Sequence, residues 1–98
     1  EYGISGQAWI GYVARLIDEE AHDGVLDYGC GKGLLAQGLV SRGKMIREYD
    51  PAIPGKDAPP EPADLVICTD VLEHIEPAHL NAVLRDLARL ARRKLFFN

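Results

Sequence analysis

The residues of this 98-residue chain best suited to chemistry fall in three clusters. Asp27 is followed by glycine at Gly29, Gly31 and Gly33; Asp50 stands directly before Pro51; and Asp70, Glu73 and His74 occupy positions i, i+3 and i+4 of one short run. Alternating glycines permit backbone angles closed to other residues and let a ligand approach the main chain closely, while the amides at a helix start attract negative charge. The first cluster therefore reads as a cradle for a nucleotide-type cofactor. Its spacing is not that of a dinucleotide fingerprint, because the third glycine, Gly33, comes one residue early and Leu34 stands in its place. Asp50 lies some two dozen residues after Asp27, where a carboxylate at a strand tip offers two acceptor oxygens to two ribose hydroxyls. The plainer alternative for Asp50 is a turn opener before proline. Asp70, Glu73 and His74 would share one face of a helical turn, and two oxygens with an imidazole suit a divalent ion. Glu73 and His74 serve equally as partners of nearby backbone, and that reading is adopted, with no metal expected. His79 belongs to the following helix and does not complete a ligand set.

The elements that must position these groups are legible from hydropathy. Trp9, Ile10, Val13, Leu16 and Ile17 recur at spacings of three and four, predicting an amphipathic helix of about three turns, stopped by His22-Asp23-Gly24. Trp9 reads as core, although Tyr2 or Trp9 at this position can also meet a ligand. Val25–Tyr28 is the first strand, and a helix follows from Leu34 to Arg42. Gly38 inside that helix costs about 1 kcal/mol relative to alanine, which close packing on the sheet would explain. Lys44–Tyr49 alternates in character, as a strand near a sheet edge does. From Pro51 to Ala63 five prolines leave only a loop. Asp64–Thr69 is the clearest strand, of the kind buried on both faces of a parallel sheet. Pro77 suits a first helical residue, and Leu80, Val83, Leu84, Leu87, Leu90 and Ala91 mark a helix of about four turns. Lys94–Asn98 reads as the start of another strand.

Composition excludes several classes. The hydrophobic share of 47% and charged share of 27% are those of a globular domain, and no apolar stretch approaches the roughly 18 residues of a membrane span. With two cysteines, Cys30 and Cys68, there is no disulfide framework, and no signal peptide is visible; the expected setting is cytoplasmic, with no membrane partner. A net charge of −4 argues against a large nucleic-acid footprint. The basic run Arg85, Arg89, Arg92, Arg93 and Lys94 reads as a solvated helix face with a favourable C-terminal bias.

The order Val25-Leu26-Asp27-x-Gly29-x-Gly31-x-Gly33 resembles the first motif of the class I methyltransferases that use S-adenosylmethionine, of the type 11 and type 12 kind. The segment from Ala63 to Ile75 resembles their fourth motif. The resemblance covers nearly the whole chain, and it implies a Rossmann-like α/β fold: a doubly wound sheet, truncated to about four parallel strands in the order 2-1-4-5 by family convention. It implies S-adenosylmethionine as cofactor, with S-adenosylhomocysteine as product, held by Asp27, Gly29, Cys30, Gly31, Gly33, Asp50, Pro51, Thr69, Asp70 and Val71. Asp27 would stand near the ligand's ammonium group. Where the acceptor needs a general base, His74 and Asp70 are the candidates by position; no catalytic residue is otherwise assigned. The loop from Pro51 departs from the family, which has a helix and third strand there, and Asp57-Ala58 resembles the Asp-Ala pair that follows that strand.

The expected organisation is one domain over residues 1–98, with a cover helix in 1–23 and the core in 24–98, incomplete at its C-terminus. The expected activity is methyl transfer to an acceptor more in keeping with a small molecule than a nucleic acid. Turnover by these residues alone is not inferred. Two alternatives from other classes stand beside it: a methyltransferase-like binding or scaffold module, and a nucleotide-dependent oxidoreductase. An apolar final strand left at an open edge invites pairing, with a second copy of the chain as its expected partner.

Overall fold

The computed structural model describes residues 2–20, 24–69 and 75–97, with side chains in the first helix described from residue 10 to residue 19. Its elements in order are α1 (Tyr2–Glu20), β1 (Val25–Tyr28), α2 (Leu34–Val40), β2 (Arg47–Tyr49), β3 (Ala63–Cys68), α3 (Pro77–Leu90) and β4 (Ala91–Phe97). All pairings are parallel, and the sheet order is β2-β1-β3-β4. This is the expected Rossmann-like arrangement, with β3 and β4 standing where the family numbers its fourth and fifth strands.

The alternation of side chains along the strands separates two cores. Val25, Leu65 and Ile67 meet Val13, Ala14 and Leu16 of α1 and Leu39 of α2 on one face. Leu26, Tyr28, Val66 and Cys68 meet Leu87 and Leu90 of α3 on the other. Every residue of β1 and β3 is buried, which is why both read as near-continuous apolar runs. Asp64 is the polar residue of β3, and it is held by the Arg92 guanidinium at 3.4 Å.

Several boundaries differ from expectation. The first helix starts at Tyr2 and runs 19 residues, through Gly3 and Gly6; each glycine weakens a helix without breaking it, since it keeps its amide donor. α2 ends at Val40 and β2 begins only at Arg47. The short β1 pairs with β2 only from Leu26 to Tyr28, so Lys44–Ile46 find no ladder. At the other end β4 begins at Ala91, directly after α3, because Ala91 is already extended at φ −86° and ψ 110°. Arg92, Arg93 and Lys94 are therefore strand residues, and Arg89 is the one basic residue in the last turn of α3. The Gly38 expectation also changes: a Cβ there would lie 2.4 Å from Cδ1 of Ile10, so the glycine admits α1, not the sheet.

The proline-rich segment is a loop, tied at both ends. At its start the Asp50 amide donates to Lys56 O at 2.8 Å and the Lys56 amide to Ile53 O at 3.0 Å. At its exit the Arg47 guanidinium donates to Glu61 O and Pro62 O at 3.1 and 2.9 Å. No helix of the described residues is long and apolar enough to cross a membrane.

Candidate cofactor site

The turn after β1 is built by glycine in the left-handed region: φ is 84° at Gly29, 55° at Gly31 and 83° at Gly33. A side chain at Gly31 would meet nothing within 4 Å, which leaves its face open to a ligand. Gly33 is different. A Cβ there would lie 2.8 Å from Glu48 Oε2 and 3.2 Å from Lys56 Nζ, so the main chain of the turn is pressed against two charged side chains. That contact and the positive φ explain why the third glycine falls at this position rather than one residue later.

The amides of the turn are already committed. Gly29 and Cys30 donate to Tyr49 O at 2.6 and 3.1 Å, Gly33 donates to Cys30 O at 3.0 Å, and Gly31 donates to Asp50 Oδ2 at 2.9 Å. The expected attraction of a helix start for negative charge does not apply here. α2 has seven residues, and the Glu48 carboxylate beside its cap Gly33 is paired with the Lys56 ammonium. A pyrophosphate would find no free amide at these four residues, which speaks against the dinucleotide oxidoreductase alternative.

Asp27 and Glu48 are register partners on β1 and β2, so their side chains lie on one face of the sheet. Asp27 is 4% exposed. Burial, then the neighbouring Glu48 and Asp50 carboxylates, push its pKa up from 3.8 to about 7, and Lys56 opposes them. Glu48 pairs through Oε1 with Lys56 Nζ at 3.1 Å, while its Oε2 is buried without a hydrogen-bond partner. Asp50 accepts from Gly31 N and, through Oδ1, from Ala52 N at 2.9 Å. A carboxylate has about four lone-pair positions, so these two bonds leave capacity for two hydroxyls. Beside the turn a groove of about 350 Å³ is lined by Lys32, Gly33, Gln37, Val40, Glu48 and Lys56.

Thus the structure brings together Asp27, Gly29, Cys30, Gly31, Gly33 and Asp50. Pro51 follows Asp50 as an exposed turn residue, and Thr69 lies half-buried at the end of β3, the strand beside β1. Asp70, Val71, Glu73 and His74 lie outside the described residues, as do the side chains of Tyr2 and Trp9. Cys30 and Cys68 form no disulfide, and burial pushes the Cys30 thiol pKa up, which disfavours its thiolate. Asp57 and Ala58 are both exposed. Glu48 and Lys56 were not foreseen. Glu48 had a signal, since it stands two residues before Asp50 on the same strand face, whereas Lys56 joins the cluster only through the turn of the loop.

Residues 5–97 match a family model described as a methyltransferase domain. The chain belongs to that methyltransferase family. Neither curated proteins nor solved structures yield a match to it. In this chain the glycine turn, Asp27 and Asp50 fall at the carboxyl ends of adjacent parallel strands, which is where open α/β sheets bind their ligands.

Proposed function

We propose that this methyltransferase domain binds S-adenosylmethionine across the carboxyl ends of β1, β2 and β3, and that its activity is methyl transfer to a small-molecule acceptor. The observation that carries this reading is the convergence of three carboxylates on an open glycine turn whose amides are spent. Such a site suits a ligand that is cationic and hydroxylated, and S-adenosylmethionine carries a sulfonium, an ammonium and two ribose hydroxyls. Asp27 faces the cationic end, Gly31 leaves room for close approach, and Asp50 accepts from the ribose. When bound, the sulfonium supplies an already activated methyl group. What the chain contributes is alignment, worth several kcal/mol in a displacement of this kind, and exclusion of water by the two cores below the site. Pairing of a second copy along the outer edge of β4 is proposed as the assembly this sheet supports.

Calorimetry with S-adenosylhomocysteine tests the reading on the intact protein. Binding that Asp50→Ala weakens by about tenfold or more supports it. Absence of heat with ligand on the order of 1 mM overturns it.

A further inference from the structure

The loop after β2, the edge strand of the described sheet, closes on the glycine turn through contacts that neither motif contains. Three observations define this closure. The Lys56 ammonium reaches Glu48 Oε1 at 3.1 Å across the loop, and Lys56 O accepts the Asp50 amide at 2.8 Å. Glu48 Oε2 is buried without a hydrogen-bond partner, against the backbone of Gly33. Asp50, between them in sequence, has its two oxygens set by Gly31 N and Ala52 N, both at 2.9 Å.

We infer that Glu48 and Lys56 form a latch that holds the Asp50–Lys56 loop against the glycine turn and so positions the Asp50 carboxylate for its ligand. This deepens the proposed cofactor site and rests on it. Among the described residues β2 is an edge strand with no ladder on its outer side, and one ion pair and the 50–56 turn fix the residues after Tyr49 instead. Removing the pair leaves Asp50 tied by its bonds to Gly31 and Ala52 and by the main-chain bonds of the 50–56 turn, which without the ion pair do not hold the loop in register against the glycine turn. A partly exposed pair of this kind adds little to global stability, so its effect is local. Glu48 and Lys56 are positioning residues; Asp50 is the group that meets ligand.

Two measurements test this, one of which needs no ligand. Amide hydrogen exchange on the full chain should show the Gly31 and Asp50 amides exchanging about tenfold faster in Lys56→Met, with β3 unchanged and Lys56→Arg restoring protection. Unchanged exchange at both amides overturns the latch whether or not any cofactor binds. In calorimetry with S-adenosylhomocysteine, Lys56→Met and Glu48→Gln should each weaken affinity by about tenfold, and the double variant by no more than either single one. Adding Lys56→Met to Asp50→Ala should cost nothing further; a further loss means Lys56 meets the ligand directly and overturns the positioning role. No binding by the parent protein overturns the cofactor site and leaves the exchange result standing on its own.

Discussion

Asp27 and Tyr28 are consecutive residues of β1, 4% and 7% exposed, and the fold treats their polar groups in opposite ways. On the α3 face the Tyr28 hydroxyl donates to Asp86 Oδ2 at 2.8 Å, Arg89 holds the other oxygen of that carboxylate at 2.7 Å, and the ring rests on Tyr49 with centroids 5.0 Å apart. On the opposite face Asp27 is met by two further carboxylates, with a single lysine in opposition. Both groups are pushed up in pKa with burial as the first cause. For Tyr28 the shift only keeps a phenol neutral that is neutral anyway. For Asp27 it brings the proton equilibrium to about 7, so the group changes charge in the ordinary working range. A buried polar group that its own protein satisfies is architecture, while one surrounded by like charge is a candidate site, here for the cationic end of the proposed ligand.

The largest test of that contrast is Asp27→Asn. The folded chain keeps a proton on Asp27 up to about pH 7, and the unfolded chain only to about 3.8. The stability this supplies is complete below the unfolded value and is lost as pH rises through the folded one. An amide cannot ionise, so the variant is more stable than the parent near pH 8, by up to roughly 4 kcal/mol for a shift of this size. The advantage fades toward about pH 4, where the parent is protonated in both states. Urea unfolding at three pH values measures this, and equal stabilities near pH 8 break the contrast. The same variant loses affinity for S-adenosylhomocysteine, which separates stability from function at one residue.

Gly33→Ala comes next. It places a Cβ in the left-handed region at φ 83° and against the paired Glu48 carboxylate. The cost in backbone strain is about 1 to 3 kcal/mol, read from denaturant midpoints. Gly31→Ala is the matched control for the site, because its Cβ meets nothing within 4 Å. It carries the φ penalty and fills the space left for ligand, so it loses binding more than it loses stability.

Tyr28→Phe removes the bond to Asp86 and leaves the ring packing intact, for about 1 kcal/mol. Unlike Asp27→Asn it leaves the slope of stability between about pH 4 and 7 unchanged, since a phenol has no equilibrium there. A changed slope would mean the two faces of β1 are coupled.

These contrasts also mark what was legible in the chain. Strands β1 and β3, the glycine turn, Asp27 and Asp50 each carry a local signature: an apolar run, a glycine spacing, an acid at a strand end. The sheet order followed from the family resemblance that the two motifs carry. Glu48 was less legible because its importance comes from register, which sets it beside Asp27 two strands deep in the chain's path. Lys56 had no spacing to announce it, since its contact exists only once the 50–56 turn closes. Gly38 announced a close approach without naming its partner, and the partner proved to be Ile10 of α1. The start of β4 was missed because helix and strand meet at Ala91 with no turn residues between them.

The smallest effect belongs to Arg89→Ala. Arg89 sits one helical turn from Asp86 with a side chain 56% exposed, against 32% for the carboxylate. A pair of that kind contributes a few tenths of a kcal/mol, and salt screens it. The Tyr28 bond remains after the substitution, so Asp86 keeps its buried partner and only its outer one is lost. Stability should fall by about 0.3 kcal/mol at low salt and not detectably at high salt. A loss nearer 1 kcal/mol that persists in salt would show that Arg89 holds Asp86 in place for Tyr28. In that case the α3 side of β1 is itself a coupled network, and the difference between the two faces lies in the sign of their charge and not in how tightly each is built.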